Sequence, residues 1–264
     1  MDSRTITVHS ASFLHGRGTV FYGSLPPGPG TSETLRENDW TREKRRLIWA
    51  LWNHLAATDN PRGEQCQSHH GDSFPFQVVK GRLGKPCLLA GAYRGPAISF
   101  SECEGNLWAA ISGNLPHIGI DAAARAEFCG DYPIDRVFHR QELRHALICA
   151  DGDEPMAAAL LWSIKEAAVK ALGCAFHFLD PGHILVYPPR KEENSYVFPV
   201  ALSGKAAGWN PSANRRSLRV RSILQEETSL SIGLLTDAID DVSGETFSGP
   251  VVHRDGTKCN EHRS

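Results

Sequence analysis

The longest helical stretch of the chain runs from Glu154 to about Leu172, rich in Ala and Leu, and stops at Gly173, a residue suited to ending a helix. On both sides of it the sequence follows another period. Short apolar or alternating runs near 76–80, 96–101, 107–112 and 118–120 precede it, and runs at 183–187, 196–202, 217–224 and 229–235 follow it. Gly and Pro punctuate these runs, as expected of short strands joined by turns. A further helix is predicted from a cap at Asp39 to about Leu55, with Ile48, Leu51, Trp52 and Leu55 at positions 0, 3, 4 and 7 of one apolar face. Residues 122–128 and 139–150 also read as helical, whereas 22–39 and 58–73 read as loop. Strands and helices mix without regular strand–helix–strand alternation, so an α+β fold is expected rather than a doubly wound sheet.

Within the long helix, Trp162, Glu166 and Lys170 stand four residues apart and share one face. Upstream, the apolar run Ile118-Gly119-Ile120 ends abruptly in Asp121, as a buried strand ends at a site. Magnesium favours carboxylate oxygens and binds substrate phosphates alongside one or two acids. An acid at a strand end and another on a helix can converge on such a site. Taken singly, each also reads as ordinary surface, with Glu166 paired to Lys170. Two basic clusters add to the picture: Arg42, Lys44, Arg45 and Arg46 within five residues, and Lys80, Arg82 and Lys85 within six. Solvated surface accounts for either cluster alone; a diphosphate ligand with an extra phosphate accounts for both.

Composition narrows the classes. A net charge of −2 provides no global basic field for nucleic acid. No run of eighteen apolar residues exists, so no membrane span is expected. Met1-Asp2-Ser3-Arg4 leads into no long apolar stretch, unlike a secretory signal. Seven cysteines are scattered and odd in number, which suits reduced thiols and a cytoplasmic protein. Cys66 with His69 and His70 lacks a second ligand pair at zinc-like spacing. At 264 residues the chain can hold one large domain or two modest ones.

Gly119-Ile120-Asp121 and the segment Trp162-Ser163-Ile164-Lys165-Glu166-Ala167-Ala168-Val169-Lys170 resemble the two signature motifs of the 4′-phosphopantetheinyl transferases, G-[IV]-D and W-[ST]-x-K-E-[AS]-x-x-K. Gly84-Lys85-Pro86 is similar to a third, G-K-P. The resemblance covers roughly residues 40–236 and points to the surfactin type. It implies two similar α/β halves in one chain, each a small antiparallel sheet with packed helices. Residues 1–118 would carry the basic helix and G-K-P, residues 119–239 the other motifs, and residues 240–264 a flexible tail. The implied reaction moves the 4′-phosphopantetheine arm of coenzyme A to a serine of an acyl or peptidyl carrier protein and releases adenosine 3′,5′-bisphosphate. Asp121 and Glu166 would ligate magnesium, with Glu166 as candidate base and Lys170 stabilising or protonating the leaving group. Lys165 would contact phosphate. Lys44, Arg45, Arg46, Gly84, Lys85, Pro86 and Ser99 would line the coenzyme A site. Trp162 would pack and fix the helix, and the enzyme would act as a monomer.

Two departures stand beside these matches. The family's S-H-S is Ser99-Phe100-Ser101 here, so a phosphate-contacting histidine becomes a ring that neither donates a hydrogen bond nor carries charge. Glu102-Cys103-Glu104 reads as a small insertion that adds negative charge nearby. The acid often found two residues after the aspartate is Ala123. These losses raise an alternative: a non-catalytic carrier-protein or coenzyme A binding protein on the same fold, or a divergent enzyme acting on a carrier-bound substrate.

Overall fold

A computed structural model describes residues 5–13, 18–27, 37–59, 76–174, 179–204, 207 and 216–237. The Cys66–His70 segment and the tail from residue 240 lie outside the described residues. In the N-terminal part the elements are β1 (Thr7–Phe13), β2 (Gly18–Leu25), α1 (Glu37–Asp59), β3 (Gln77–Lys80), β4 (Pro86–Ala90), β5 (Tyr93–Arg94), β6 (Ala97–Cys103) and β7 (Asn106–Ser112). There follow β8 (Ile118–Ala124), α2 (Ile134–Val137), α3 (Arg140–Cys149), α4 (Glu154–Leu172), β9 (Ile184–Val186), β10 (Arg190–Glu192), β11 (Ser195–Leu202), β12 (Arg216–Leu224) and β13 (Thr228–Asp237).

All strand pairs are antiparallel. One sheet has the order β1-β2-β7-β6, a second β10-β11-β12-β13-β8 with β9 also on β11, and a small third β3-β4-β5. The alternation of side chains along each strand then sorts residues between layers. In β7, Leu107, Ala109 and Ile111 meet Leu47, Ile48, Leu51 and Leu55 of α1. Trp108 and Ala110 point the other way, into a second core with Ile118, Ile120 and Ala122 of β8 and Leu230, Ile232 and Leu234 of β13. Behind the second sheet, Phe198, Leu218 and Val220 pack on Leu160, Leu161, Ile164 and Ala168 of α4. The result is a helix–sheet–sheet–helix sandwich, a mixed α+β fold with antiparallel sheets.

Helix α4 is apolar on nearly every side because it is buried on nearly every side. Its start is fixed by Asp153, whose side chain accepts from the Met156 N–H at 2.9 Å, and its end by Gly173 in the left-handed conformation (φ 81°). It lies unusually close to the sheet. Gly119 and Gly233 face each other in register beneath it, and a methyl group on Gly119 would stand 2.1 Å from the Ala167 carbonyl oxygen. Glycine stands second in this strand because the helix backbone occupies the space of a side chain.

Several elements differ from expectation. Residues 122–124 continue β8, and only Arg125–Phe128 coils, in one 3-10 turn, because β13 keeps pairing as far as Thr228 opposite Ala124. Helix α1 starts at Glu37, ahead of Asp39, and residues 22–25 are strand rather than loop. The supposed insertion at Glu102–Glu104 is the end of a hairpin, turned by Glu104 (φ 49°) and Gly105 (φ 74°) between paired Cys103 and Asn106. Among the described residues no helix is long and apolar enough to cross a membrane.

Candidate active site

The site forms where the edges of the two large sheets meet. Strand β6 ends one sheet and β8 ends the other, so each presents backbone groups that need partners. Serine side chains supply them. Ser99 Oγ accepts from the Ile120 N–H at 3.0 Å and Ser101 Oγ from the Ala122 N–H at 3.2 Å. Ser101 also donates to Asp121 Oδ1 at 2.8 Å. From α4, Lys170 Nζ donates to the carbonyls of Phe100 and Ile120, each at 3.2 Å, and to Asp121 Oδ1 at 2.7 Å. One ammonium thus ties both sheet edges to the helix.

Two cavities open on this junction. The first, about 370 Å³, is basic, with Lys44, Lys80, Lys85 and Lys170 among its lining, along with Gly84, Pro86, Ser99 and Phe100. The second, about 400 Å³, is acidic, with Glu102, Asp121, Glu127 and Glu166 beside Trp162. Lys44, Phe100 and Lys170 belong to both. The basic wall is shaped by the turn before β4, where Leu83 (φ 56°) and Gly84 (φ 79°) are successively left-handed and Gly81 N–H reaches Lys85 O at 2.7 Å. Gly84 serves this conformation; a Cβ there would meet nothing within 4 Å. Lys85 then lies across Gly173, at the carbonyl end of α4, where a cation is favoured. Burial pulls its ammonium below the usual lysine range, and Arg94 adds to the effect.

The two motif acids share the acidic cavity. Asp121 is 5% exposed, and burial raises its carboxyl above the ordinary range against the pull of Lys170 and Ser101. Glu166 is half-buried and is raised by burial first and by the charge of Asp121 second. Two carboxylates that each sit above their normal range beside a lysine-lined cavity fit a hard cation with oxygen ligands. Among the described residues no group of three or more His, Cys, Asp or Glu side chains forms a ready metal cage. A pair of acids is nonetheless what magnesium uses when water and substrate phosphate complete its shell.

Lys165 requires a correction. It is 0% exposed and points away from both cavities, donating to Glu142 Oε2 at 2.8 Å and to Pro181 O at 2.9 Å. Rotation explains this, since consecutive helical residues diverge by about 100° around the axis. Glu166 and its neighbour therefore face different neighbours. Arg45 and Arg46 line neither cavity, and of the basic helix only Lys44 does. The motif serine, Ser163, is fully buried and bonds Ser229 Oγ at 2.9 Å and Ser231 Oγ at 2.8 Å, holding α4 to β13. Ala123 shares the Asp121 face of β8 but packs into the α4 core. Glu127 was not singled out from the sequence; its nearness to Asp121 depends on the 3-10 turn after β8.

Residues 117–218 match the sequence model of the 4′-phosphopantetheinyl transferase superfamily. The matched segment contains β8 and α4, and with them Asp121, Glu166 and Lys170. No curated protein matches the chain.

Proposed function

We propose that this chain is a phosphopantetheinyl transferase of the surfactin type, which moves the 4′-phosphopantetheine arm of coenzyme A onto a serine of an acyl or peptidyl carrier protein. The observation that carries the reading is the junction of a lysine-lined cavity with an acidic one, to which the superfamily-matched segment contributes Asp121, Glu166 and Lys170. Lys80 and Lys85 suit the phosphates of coenzyme A as compact charges with three donors each. Asp121 and Glu166 suit magnesium, which when bound neutralises phosphate charge as it grows in the transition state. Glu166, outside the bonds that hold the sheet edges together, is placed to accept the proton of the attacking serine hydroxyl. The new bond joins that serine oxygen to the phosphorus bearing the pantetheine arm. The bond from that phosphorus to adenosine 3′,5′-bisphosphate breaks, and Lys170 offers positive charge to the departing oxygen.

Phe100 and Ala123 favour a second reading, a binder of coenzyme A or carrier protein without turnover. Intact-mass analysis of an apo carrier incubated with the protein, coenzyme A and magnesium separates the two. Transfer appears as the mass of one arm, lost on chelation of magnesium and lowered at least roughly 100-fold in Glu166→Gln. Undiminished transfer in that variant would overturn the assignment of Glu166. Absence of transfer to both acyl and peptidyl carriers by folded protein would overturn the transferase reading in favour of binding.

A further inference from the structure

Phe100 occupies the position where the resembled family carries a histidine, and it borders both cavities. Its place in β6 sets it against the α1 side of the sheet, because Ser99 and Ser101 on either side turn towards β8. Lys44 comes down from α1, one turn before the buried Leu47 and Ile48, and its Nζ stands over the Phe100 ring at 5.6 Å from the centroid. Lys44 is half-buried. Glu102 acts on it as counter-charge and Lys80 as a like charge, while burial lowers its pKa most. An aromatic face attracts an ammonium through its quadrupole and does not cancel the charge, as a carboxylate would. The ring therefore holds the ammonium at a fixed place without adding a negative charge of its own.

We propose that Phe100 is a positioning residue: its ring seats the Lys44 ammonium at the junction of the two cavities, where it binds the diphosphate of coenzyme A. The charge that the histidine would bring then comes from α1 instead. The assignment to the diphosphate follows from the junction, since Lys44 also lines the cavity of Asp121 and Glu166. This inference rests on the proposed function for its ligand, coenzyme A, and does not depend on transfer.

The test is calorimetric binding of coenzyme A to the wild type, Phe100→Leu, Lys44→Met, the double variant and Phe100→Tyr. Phe100→Leu is expected to weaken binding about 2- to 30-fold, the range of one cation–π contact. Lys44→Met weakens it at least as much, the double variant binds no worse than Lys44→Met, and Phe100→Tyr restores binding. 3′-Dephospho-coenzyme A, which keeps the diphosphate, shows the same Phe100→Leu penalty. Additive losses in the double variant overturn the positioning role while leaving the coenzyme A reading intact. A penalty that vanishes with the dephospho ligand overturns the diphosphate assignment. Folded wild type that binds no coenzyme A overturns both this proposal and the proposed function. Should Phe100→Leu fail to fold, the upfield ring-current shift of the Lys44 ε-methylene protons in wild-type spectra decides, and its absence overturns the seating.

Discussion

Lys165→Met is the substitution on which the structure and the motif resemblance disagree most sharply. As a phosphate contact, Lys165 would matter for ligand affinity and little for folding. The structure instead places its ammonium and the Glu142 carboxylate together in the core, at 0% and 5% side-chain exposure, 2.8 Å apart. Methionine has a similar length and no charge, so the variant strands a buried carboxylate. Glu142 keeps two backbone donors, His139 N–H at 3.1 Å and Val186 N–H at 2.8 Å. Removing one partner of a buried pair costs about 3–5 kcal/mol, and these remaining bonds set the expectation at the lower end, about 3 kcal/mol. Against a total of roughly 5–15 kcal/mol the variant still folds. For a chain of this size each kcal/mol lowers the midpoint by roughly 2–4 °C, so a fall of about 6–12 °C is expected in thermal unfolding followed by circular dichroism. Adding Glu142→Gln recovers part of the loss, because no unpaired charge then remains. Coenzyme A affinity, measured by calorimetry on the folded variants, is expected to stay within about twofold, corresponding to less than about 0.5 kcal/mol. A variant with wild-type stability and a tenfold or greater loss of coenzyme A affinity would refute the core assignment and return Lys165 to the ligand.

Gly119→Ala tests the seat of α4. The added methyl would meet the Ala167 carbonyl oxygen at 2.1 Å and the Ala171 nitrogen at 2.6 Å, both backbone atoms with little room to yield. A loss at or beyond the top of the about 1–3 kcal/mol overpacking range is expected in urea unfolding, and a wild-type midpoint would contradict the close approach. Asp153→Ala removes the α4 cap and is expected to cost about 1 kcal/mol, while Asp153→Asn keeps most of it. The bond from Met156 N–H and then the Arg125 pair depress the Asp153 carboxyl. The charge-dependent part of its contribution is therefore complete above the ordinary carboxyl range and lost as pH falls through the depressed folded value, while the neutral carboxyl still accepts from Met156 N–H as the amide of Asp153→Asn does. The stability gap between wild type and Asp153→Ala should narrow in that acid window; a gap unchanged from neutral to strongly acidic pH would contradict the charged contribution.

Local features carried much of the fold. The bounds of α4 follow from an Ala- and Leu-rich run and a terminal glycine, all contiguous, and the structure has the helix over Glu154–Leu172, with Asp153 added as its cap. The four-residue spacing of Trp162, Glu166 and Lys170 likewise brings all three to one cavity. What escaped depends on distant partners. Thr7–Phe13 is weakly patterned and becomes a strand by pairing with β2, and the alanines at 122–124 favour helix until β13 pairs with them. Lys165 was misplaced although helical periodicity alone turns it away from Glu166. Phe100 was read as a loss because its neighbour Lys44 is 56 residues away in sequence and close only in the folded chain.

The arrangement at the junction also explains why a serine on each side of position 100 suits this fold. Residues two apart on β6 face the same way, and so do alternate N–H groups along the free edge of β8, so Ser99 and Ser101 match Ile120 and Ala122 one to one. The hydroxyl of Ser101 then turns its proton to Asp121, and Lys170 closes the set through Phe100 and Ile120. Asp121 is thereby a member of the seam as well as of the acidic cavity. Its removal would take one of three partners from the half-buried Lys170 ammonium and the acceptor from the Ser101 hydroxyl, in a seam that holds two sheets and a helix together, and any loss of activity would mix folding with chemistry. Glu166 enters none of those seam bonds, yet it looks into the same cavity from α4. A loss of transfer in Glu166→Gln at unchanged stability therefore speaks to the reaction alone, which is why that residue, rather than the better anchored aspartate, is the informative one to change first.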